Sequence, residues 1–453
     1  MTENKDKSLK IGIFVDTYYP VIDGVIVCVD NYARGLSKYA DVTVFTTETP
    51  SFSVEDDLKR PYRIVRCGAL KAFKIEEYVL PLPSVDIDFN AELYASRLDI
   101  VHINSPFTIG LAGLRYAYKY GIPAVATVHS QFKKDFETYL KFEPLVEFAL
   151  EKTKTVFDMA DEIWVPNRRM QELYKIYGGK LEPYIHPNAT DLRPIENRDE
   201  RVRELYRDYG ITENETVFLF VGRLIERKNI FFIARALGKL KQKCEKAFKM
   251  IYVGAGPDEE RLRSLIKDEG IEENVIISGR ISDRAKLADF YAAADLFLFP
   301  SLYDTNSLVQ IEAASQGTPT LFLRDSVTSS SIEEDVSGYI AEDSVDAYAE
   351  KMLEIMNKSP ENKAFVRENV VKDVYKHWEE LVIEMLERFV ELADSKSARR
   401  DLSYEEIFSD FFLNTKNKNR PDFDEIKRLF QKLESRGKSD IEAAMKAMWE
   451  SFK

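Results

Sequence analysis

Four short segments join glycines, cations and carboxylates where strand-like runs give out. The first is Asp16–Gly24 (DTYYPVIDG), between an apolar run and an amphipathic stretch. A glycine such as Gly24 lets backbone approach a phosphate, and the N–H groups at a helix start attract an anion. Many strand-to-helix turns hold a glycine and bind nothing, so this segment needs the others. The second is Phe220–Asn229 (FVGRLIERKN), where Gly222 ends a strand, Arg223 follows at once and Lys228 lies on the next turn. Arginine offers a planar fork of donors and lysine a compact charge, which together suit a diphosphate. The competing reading is an exposed basic turn. The third, Val253–Pro257 (VGAGP), carries Gly254 and Gly256 but has Pro257 and Asp258 where a dinucleotide fingerprint continues. It argues against a nicotinamide or flavin cofactor and for a tight turn lining a nucleotide. The fourth, Pro300–Pro319 (PSLYDTNSLVQIEAASQGTP), places Asp304 and Glu312 across a loop and the following helix start. Helix capping is the alternative role for Asp304. Glu312 lies among Leu308, Val309, Ile311 and Ala313, where a solvated carboxylate is not expected, so it needs a partner such as a ribose hydroxyl.

These segments need strands to aim them. Lys10–Val15, Val42–Thr46, Ile100–Ile103, Ala124–Val128 and Glu162–Val165 are nearly continuous apolar runs rich in β-branched residues. Such runs suit parallel strands buried on both faces. Amphipathic stretches such as Asp30–Tyr39 and Leu145–Met159 alternate with them, with Pro144 placed for a first helical turn. After a charged stretch, Arg193–Arg203, that reads as a linker, the rhythm restarts with Val217–Val221, Lys249–Val253, Val275–Ile277, Leu296–Phe299 and Thr320–Phe322. Two doubly wound α/β units in series are expected, facing a cleft at the carboxyl ends of their strands. The expected division is 1–192, 193–373 and a helical extension at 396–453, with amphipathic helix expected over Ala364–Ser395.

With 45% hydrophobic and 31% charged residues, the chain reads as well packed and neither disordered nor membrane-spanning. A net charge of -13 argues against a nucleic-acid partner, which calls for a basic footprint. Cys28, Cys67 and Cys244 are odd in number and scattered, which fits reduced thiols. Residues 1–10 have no apolar core of a signal peptide, so a cytoplasmic location is expected.

Together the segments resemble the family-4 retaining glycosyltransferases of the GT-B fold over roughly residues 8–395. The likeness takes in the Gly24 loop, Pro187–Asn188, Gly222–Arg223 with Lys228, Gly254 and Gly256 with Pro257, Ser282–Asp283, and the pair of acids ending at Glu312. It implies that Arg223 and Lys228 hold the donor diphosphate and Glu312 the nucleotide ribose. Asp304, with the backbone N–H groups of Asn306, Ser307 and Leu308, is implied to hold the transferred sugar. His129 sits where the family places a histidine near the sugar's reacting face, although a strand-end histidine taken alone reads as structural. His102 is a similar but weaker case. Val101–Gly110 and Thr127–Tyr139 look most like transferases that glucosylate membrane lipids such as diacylglycerol.

The resemblance implies a hexose, glucose in the first instance, moved from a UDP-sugar to a lipid or saccharide acceptor. No metal or other cofactor is expected, because no pair of acids with metal-binding spacing stands in the four segments. The resemblance also implies a helix near 374–395, containing Trp378, that crosses back to the first domain, and hinge closure about Arg193–Arg203 and this segment is the expected motion. Asp304 and Ser307 stand where the family usually has glutamate and a small flexible residue, Asn306 replaces a common aromatic, and Asp23–Gly24 a common pair of glycines. A scaffold subunit that kept the fold and lost turnover is therefore an alternative, and a sugar-nucleotide epimerase a more distant one. Phe132, Lys133, Lys134 and Phe136 form a basic-aromatic cluster. It reads either as a solvated helix or as a peripheral contact with the membrane's inner face.

Overall fold

The computed structural model describes residues 8–49, 51–71, 79–140 and 142–395. The expected extension at 396–453 lies outside the described residues. Among the described residues fifteen strands run in chain order as β1 (Lys10–Phe14), β2 (Asp41–Thr47), β3 (Arg63–Cys67), β4 (Ala69–Lys71), β5 (Val79–Pro81), β6 (Ile100–Ile103), β7 (Ala124–Thr127), β8 (Glu162–Val165), β9 (Tyr184–Ile185), β10 (Thr216–Val221), β11 (Phe248–Val253), β12 (Val275–Gly279), β13 (Leu296–Phe299), β14 (Thr320–Leu323) and β15 (Tyr339–Ala341). They divide into two parallel sheets and a small antiparallel hairpin of β4 with β5.

The chain separates into two compact units. Of the described residues, the first holds those within 8–166, 170–186 and 382–395, and the second 167–169 and 187–381. The first unit's sheet is ordered β3-β2-β1-β6-β7-β8-β9 and the second's β12-β11-β10-β13-β14-β15. Each order reverses once, between β1 and β6 and between β10 and β13. Open parallel sheets bind ligands at such a switch point, beyond the carboxyl ends of the strands.

Burial on both faces explains the unbroken apolar runs. In β10, Phe218 and Phe220 pack with Ile233, Leu237 and Tyr252 on one side. Val217 and Leu219 face Phe290, Tyr291 and Phe297 on the other. Each such side chain contributes about 1.5–3 kcal/mol by leaving water. In the first unit Phe14 stacks on Phe45 at 4.6 Å, and Trp164 stacks on Phe389 at 5.3 Å.

Phe389 belongs to the helix Trp378–Ser395, which joins the first unit from Val382 onward. Gly35 is needed there, since a Cβ would lie 2.4 Å from a methyl of Val382. Arg388 pairs with Glu162 on β8. The supposed linker Arg193–Arg203 is a helix from Arg198, running to Tyr209 and ending in a left-handed Gly210. Leu205 is buried, and Val202, Tyr206 and Tyr209 pack at the edge of the core. The charged residues between them cover the solvent side, which hid the helix in the sequence.

Candidate active site

In the second unit three loops at the switch point fix one another. Gly222 N–H donates to Val253 O at 3.0 Å, and Leu224 N–H to Ala255 O at 3.1 Å. A Cβ on Gly254 would lie 1.9 Å from Gly222 O, and one on Gly256 2.2 Å from Leu224 O. These two glycines let the β10 and β11 turns pack backbone to backbone, a requirement that exists with or without a nucleotide. Asn229, left-handed at φ 62°, donates its side-chain N–H to Pro300 O at 2.9 Å and so ties the Lys228 turn to the Asp304 loop.

Lys228 forms an ion pair with Asp304, and Ser301 Oγ donates to the same carboxylate. Burial pushes the Asp304 carboxyl up, but Lys228, Ser301 and nearby Arg227 outweigh it and hold the group below its ordinary range. Arg227 lies over the Tyr303 ring at 3.5 Å. Arg223 is exposed, and its guanidinium takes no ion pair or hydrogen bond among the described residues. One cation is thus held in place and a second is available.

Asp304 does not cap the next helix. That helix, Leu308–Ser315, begins after Ser307, whose side chain makes no cap bond. Its first N–H groups remain open to a ligand, as helix starts allow. Glu312 is buried at 7% exposure, and it has protein partners that the sequence did not reveal. Tyr291 donates its hydroxyl to Oε2 at 2.6 Å, and Arg284 reaches Oε1 at 2.8 Å. Arg284 also pairs with Asp191. The carboxylate is held in a fixed plane with its remaining lone pairs free to accept further bonds.

In the first unit the corresponding residues follow β1, β6 and β7. Asp23 caps the helix Gly24–Leu36 by accepting from Ile26 N at 2.8 Å, and the space over Gly24 is open. Asp16 is buried and accepts from Ile109 N at 2.9 Å, Ser105 Oγ at 2.5 Å and Thr108 Oγ1 at 3.1 Å. It thereby caps the helix Thr108–Tyr120 from the loop that follows β1, and burial nonetheless raises its pKa.

His129 meets Asn104 Oδ1 through Nε2 at 2.9 Å, and desolvation pushes its pKa down to about 4. It is a neutral imidazole near neutrality, able to hydrogen-bond but not to serve as a cation. Thr17, Asp23, Asn104, Phe107, His129 and Ser130 border an open hollow of about 350 Å³. The Thr17 hydroxyl is buried there without a hydrogen-bond partner.

His102 is no site residue. It is fully buried between Tyr32, Trp164 and Phe389, bonded to Thr127 Oγ1 at 2.8 Å, and desolvation holds it neutral. The basic-aromatic cluster is not an exposed patch either. Phe132 and Phe136 are buried, and Lys133 is bonded to Glu147 at 3.0 Å with Glu137 and Glu143 close by. Among the described residues no helix is long and apolar enough to cross a membrane. None of their His, Cys, Asp and Glu side chains form a group of three able to hold a metal ion.

Known proteins with the same architecture include HepE from Anabaena, solved with UDP (TM-score 0.68, 15% identity, 84% of this chain and 100% of that one). Sucrose-phosphate synthase from Thermosynechococcus elongatus superimposes with a TM-score of 0.69 at 20% identity over 85% and 100% of the two chains. At these identities the likeness is one of fold. Among sequence relatives, an alpha-monoglucosyldiacylglycerol synthase of Streptococcus pneumoniae is 27% identical over 69% of this chain and 70% of its own. One of Acholeplasma laidlawii is 27% identical over 73% and 84%. The model of Glycosyltransferase Family 4 matches residues 22–193, and that of Glycosyl transferases group 1 matches residues 202–370. With one model on each α/β unit and cations and carboxylates at the switch point of the second, the chain belongs to the family-4-like hexosyltransferases of the GT-B fold.

Proposed function

We propose that the protein is a retaining transferase that moves glucose from UDP-glucose to a hydroxyl of a lipid acceptor without a metal ion. The observation that carries the reading is the pairing of Lys228 with Asp304 beside an exposed, unpaired Arg223, at the carboxyl ends of β10 and β13. The names of the two synthases supply the hexose and the acceptor class.

In this reading Arg223 and Lys228 face the diphosphate, Glu312 accepts from the ribose hydroxyls, and Asp304 with the open N–H groups at Leu308 binds the hexose. The bond from the anomeric carbon to the β-phosphate oxygen breaks, and the two cations take up the charge that develops on the departing phosphate. The acceptor oxygen bonds to the same face of that carbon, and its proton passes to the leaving phosphate. His129, being neutral, hydrogen-bonds a sugar hydroxyl. Three free cysteines, two of them buried, fit a reducing compartment and hence a cytoplasmic reaction.

The test is proton NMR of a reaction holding UDP-glucose, a diacylglycerol in detergent and excess EDTA. An α-anomeric signal on the lipid with release of UDP supports the reading. A β-anomer refutes retention, and a need for added divalent ion refutes metal independence. Tight UDP binding with no transfer to any acceptor would favour the scaffold reading.

A further inference from the structure

A second hollow, open to solvent and of about 320 Å³ with the solvent at its mouth included, lies beside the one at His129 and shares Ser130 and Phe132 with it. Its other walls include Leu150, Thr153, Phe157, Met170 and Tyr174, all within the first unit. The Phe132 ring stands between the two, 6.4 Å from Phe107 in the first and 5.6 Å from Phe157 in the second.

Two of the polar groups on the second hollow's rim, on Tyr174 and Lys154, are engaged elsewhere. Tyr174 gives its hydroxyl to Asp158 at 2.8 Å, and Lys154 gives its amine to Gly178 O at 3.1 Å and to Glu151 at 2.9 Å. What faces the hollow is aliphatic and aromatic. Such a surface gives water no hydrogen bonds and a saccharide no partners for its hydroxyls. The first hollow, by contrast, carries Thr17, Asn104, His129 and Ser130.

We propose that the second hollow takes one aliphatic chain of the acceptor while the acceptor's hydroxyl head lies in the first. The proposal rests on the lipid-acceptor reading above, and it adds where the chain goes and why a purely polar acceptor is disfavoured. The chain passes Phe132 and runs under the helices Phe132–Leu140, Glu143–Asp158 and Arg168–Ile176. Each methylene it buries strengthens binding about fourfold, until the hollow is filled.

The experiment uses the full chain with UDP-glucose and a series of monoacylglycerols of increasing chain length, kept below their aggregation thresholds, with glycerol as the chainless member. The expected result is a KM that falls about fourfold per methylene and then levels off. Thr153→Leu, which adds bulk to a buried wall, should level off at a shorter chain while its melting curve stays close to that of the parent. A flat series in the parent, or the same levelling point in a folded Thr153→Leu protein, overturns the proposal. Should Thr153→Leu not fold, a diazirine-bearing monoacylglycerol decides with the unaltered protein. Label in residues 150–157 or 170–177 supports the chain site, and label elsewhere overturns it. Transfer of glucose to no acceptor at all would instead remove the functional reading beneath it.

Discussion

Replacing Lys228 with methionine keeps the aliphatic stem and deletes the charge that Asp304 pairs with. The pair lies between two known regimes, with the lysine side chain 27% and the aspartate 17% exposed. Breaking a fully buried pair costs about 3–5 kcal/mol, and breaking an exposed one about 0–1. A loss of about 2 kcal/mol in stability is therefore expected near neutral pH.

The pH dependence has a definite sign. In the parent, Asp304 titrates below its ordinary value of 3.8, so its contribution is present above that pH and is lost as pH falls through the folded value. In Lys228→Met, burial is left as the larger influence and the carboxyl rises, so the folded state gains a proton before the unfolded one does. The deficit should be largest near neutrality and shrink toward about pH 4. Urea denaturation across that range measures it. Glucosyl transfer should fall about 10²–10³-fold, as for loss of other charge-stabilising groups. Adding Asp304→Asn should restore much of the stability and none of the rate. If the double variant regains most of the parent's rate, Lys228 only neutralises Asp304, and its assignment to the diphosphate is wrong.

Other expectations follow from single contacts. Gly254→Ala should destabilise by about 1–3 kcal/mol, because its Cβ would lie 1.9 Å from Gly222 O, and should abolish UDP binding; an unchanged melting curve refutes the close approach. Tyr291→Phe removes the hydroxyl that orients Glu312 and should weaken UDP binding about tenfold, in keeping with a hydrogen bond to a charged group. It should weaken dideoxyribose UDP much less, and equal weakening of both would detach Glu312 from the ribose. His129 titrates at about 4 in the fold against an ordinary 6.5, so the unfolded chain binds the proton first. Stability should be full above about pH 6.5 and fall by up to about 3 kcal/mol by about pH 4, with His102 acting in the same direction. His129→Gln should flatten part of that slope in the same denaturation series.

The fold was legible because its signal is local. Ile100–Ile103, Glu162–Val165 and Leu296–Phe299 are strands at the expected residues, since a strand buried on both faces must be apolar throughout. The edge strands β9 and β15 escaped notice because they are only two and three residues long, and the helix Arg198–Tyr209 because Leu205 is its one buried residue. Aromatic residues misled in the opposite direction. Phe132 and Phe136 suggested a surface cluster, yet both are buried, a distinction that depends on the packing of helices distant in sequence. Charged groups carried by one segment, such as Arg223 and Lys228, can be read together from the sequence. Partners that converge from afar cannot: Arg284 and Tyr291 on Glu312, or Asn104 on His129.

The central claim, donor binding through the second unit's cations, is tested most directly by titration calorimetry of UDP into the protein in EDTA, repeated with Arg223→Ala. The account predicts saturable one-to-one binding that Arg223→Ala weakens by about tenfold or more, the scale of a charge-assisted hydrogen bond. Absence of binding by UDP and by every other nucleoside diphosphate, or binding indifferent to Arg223→Ala, would contradict it.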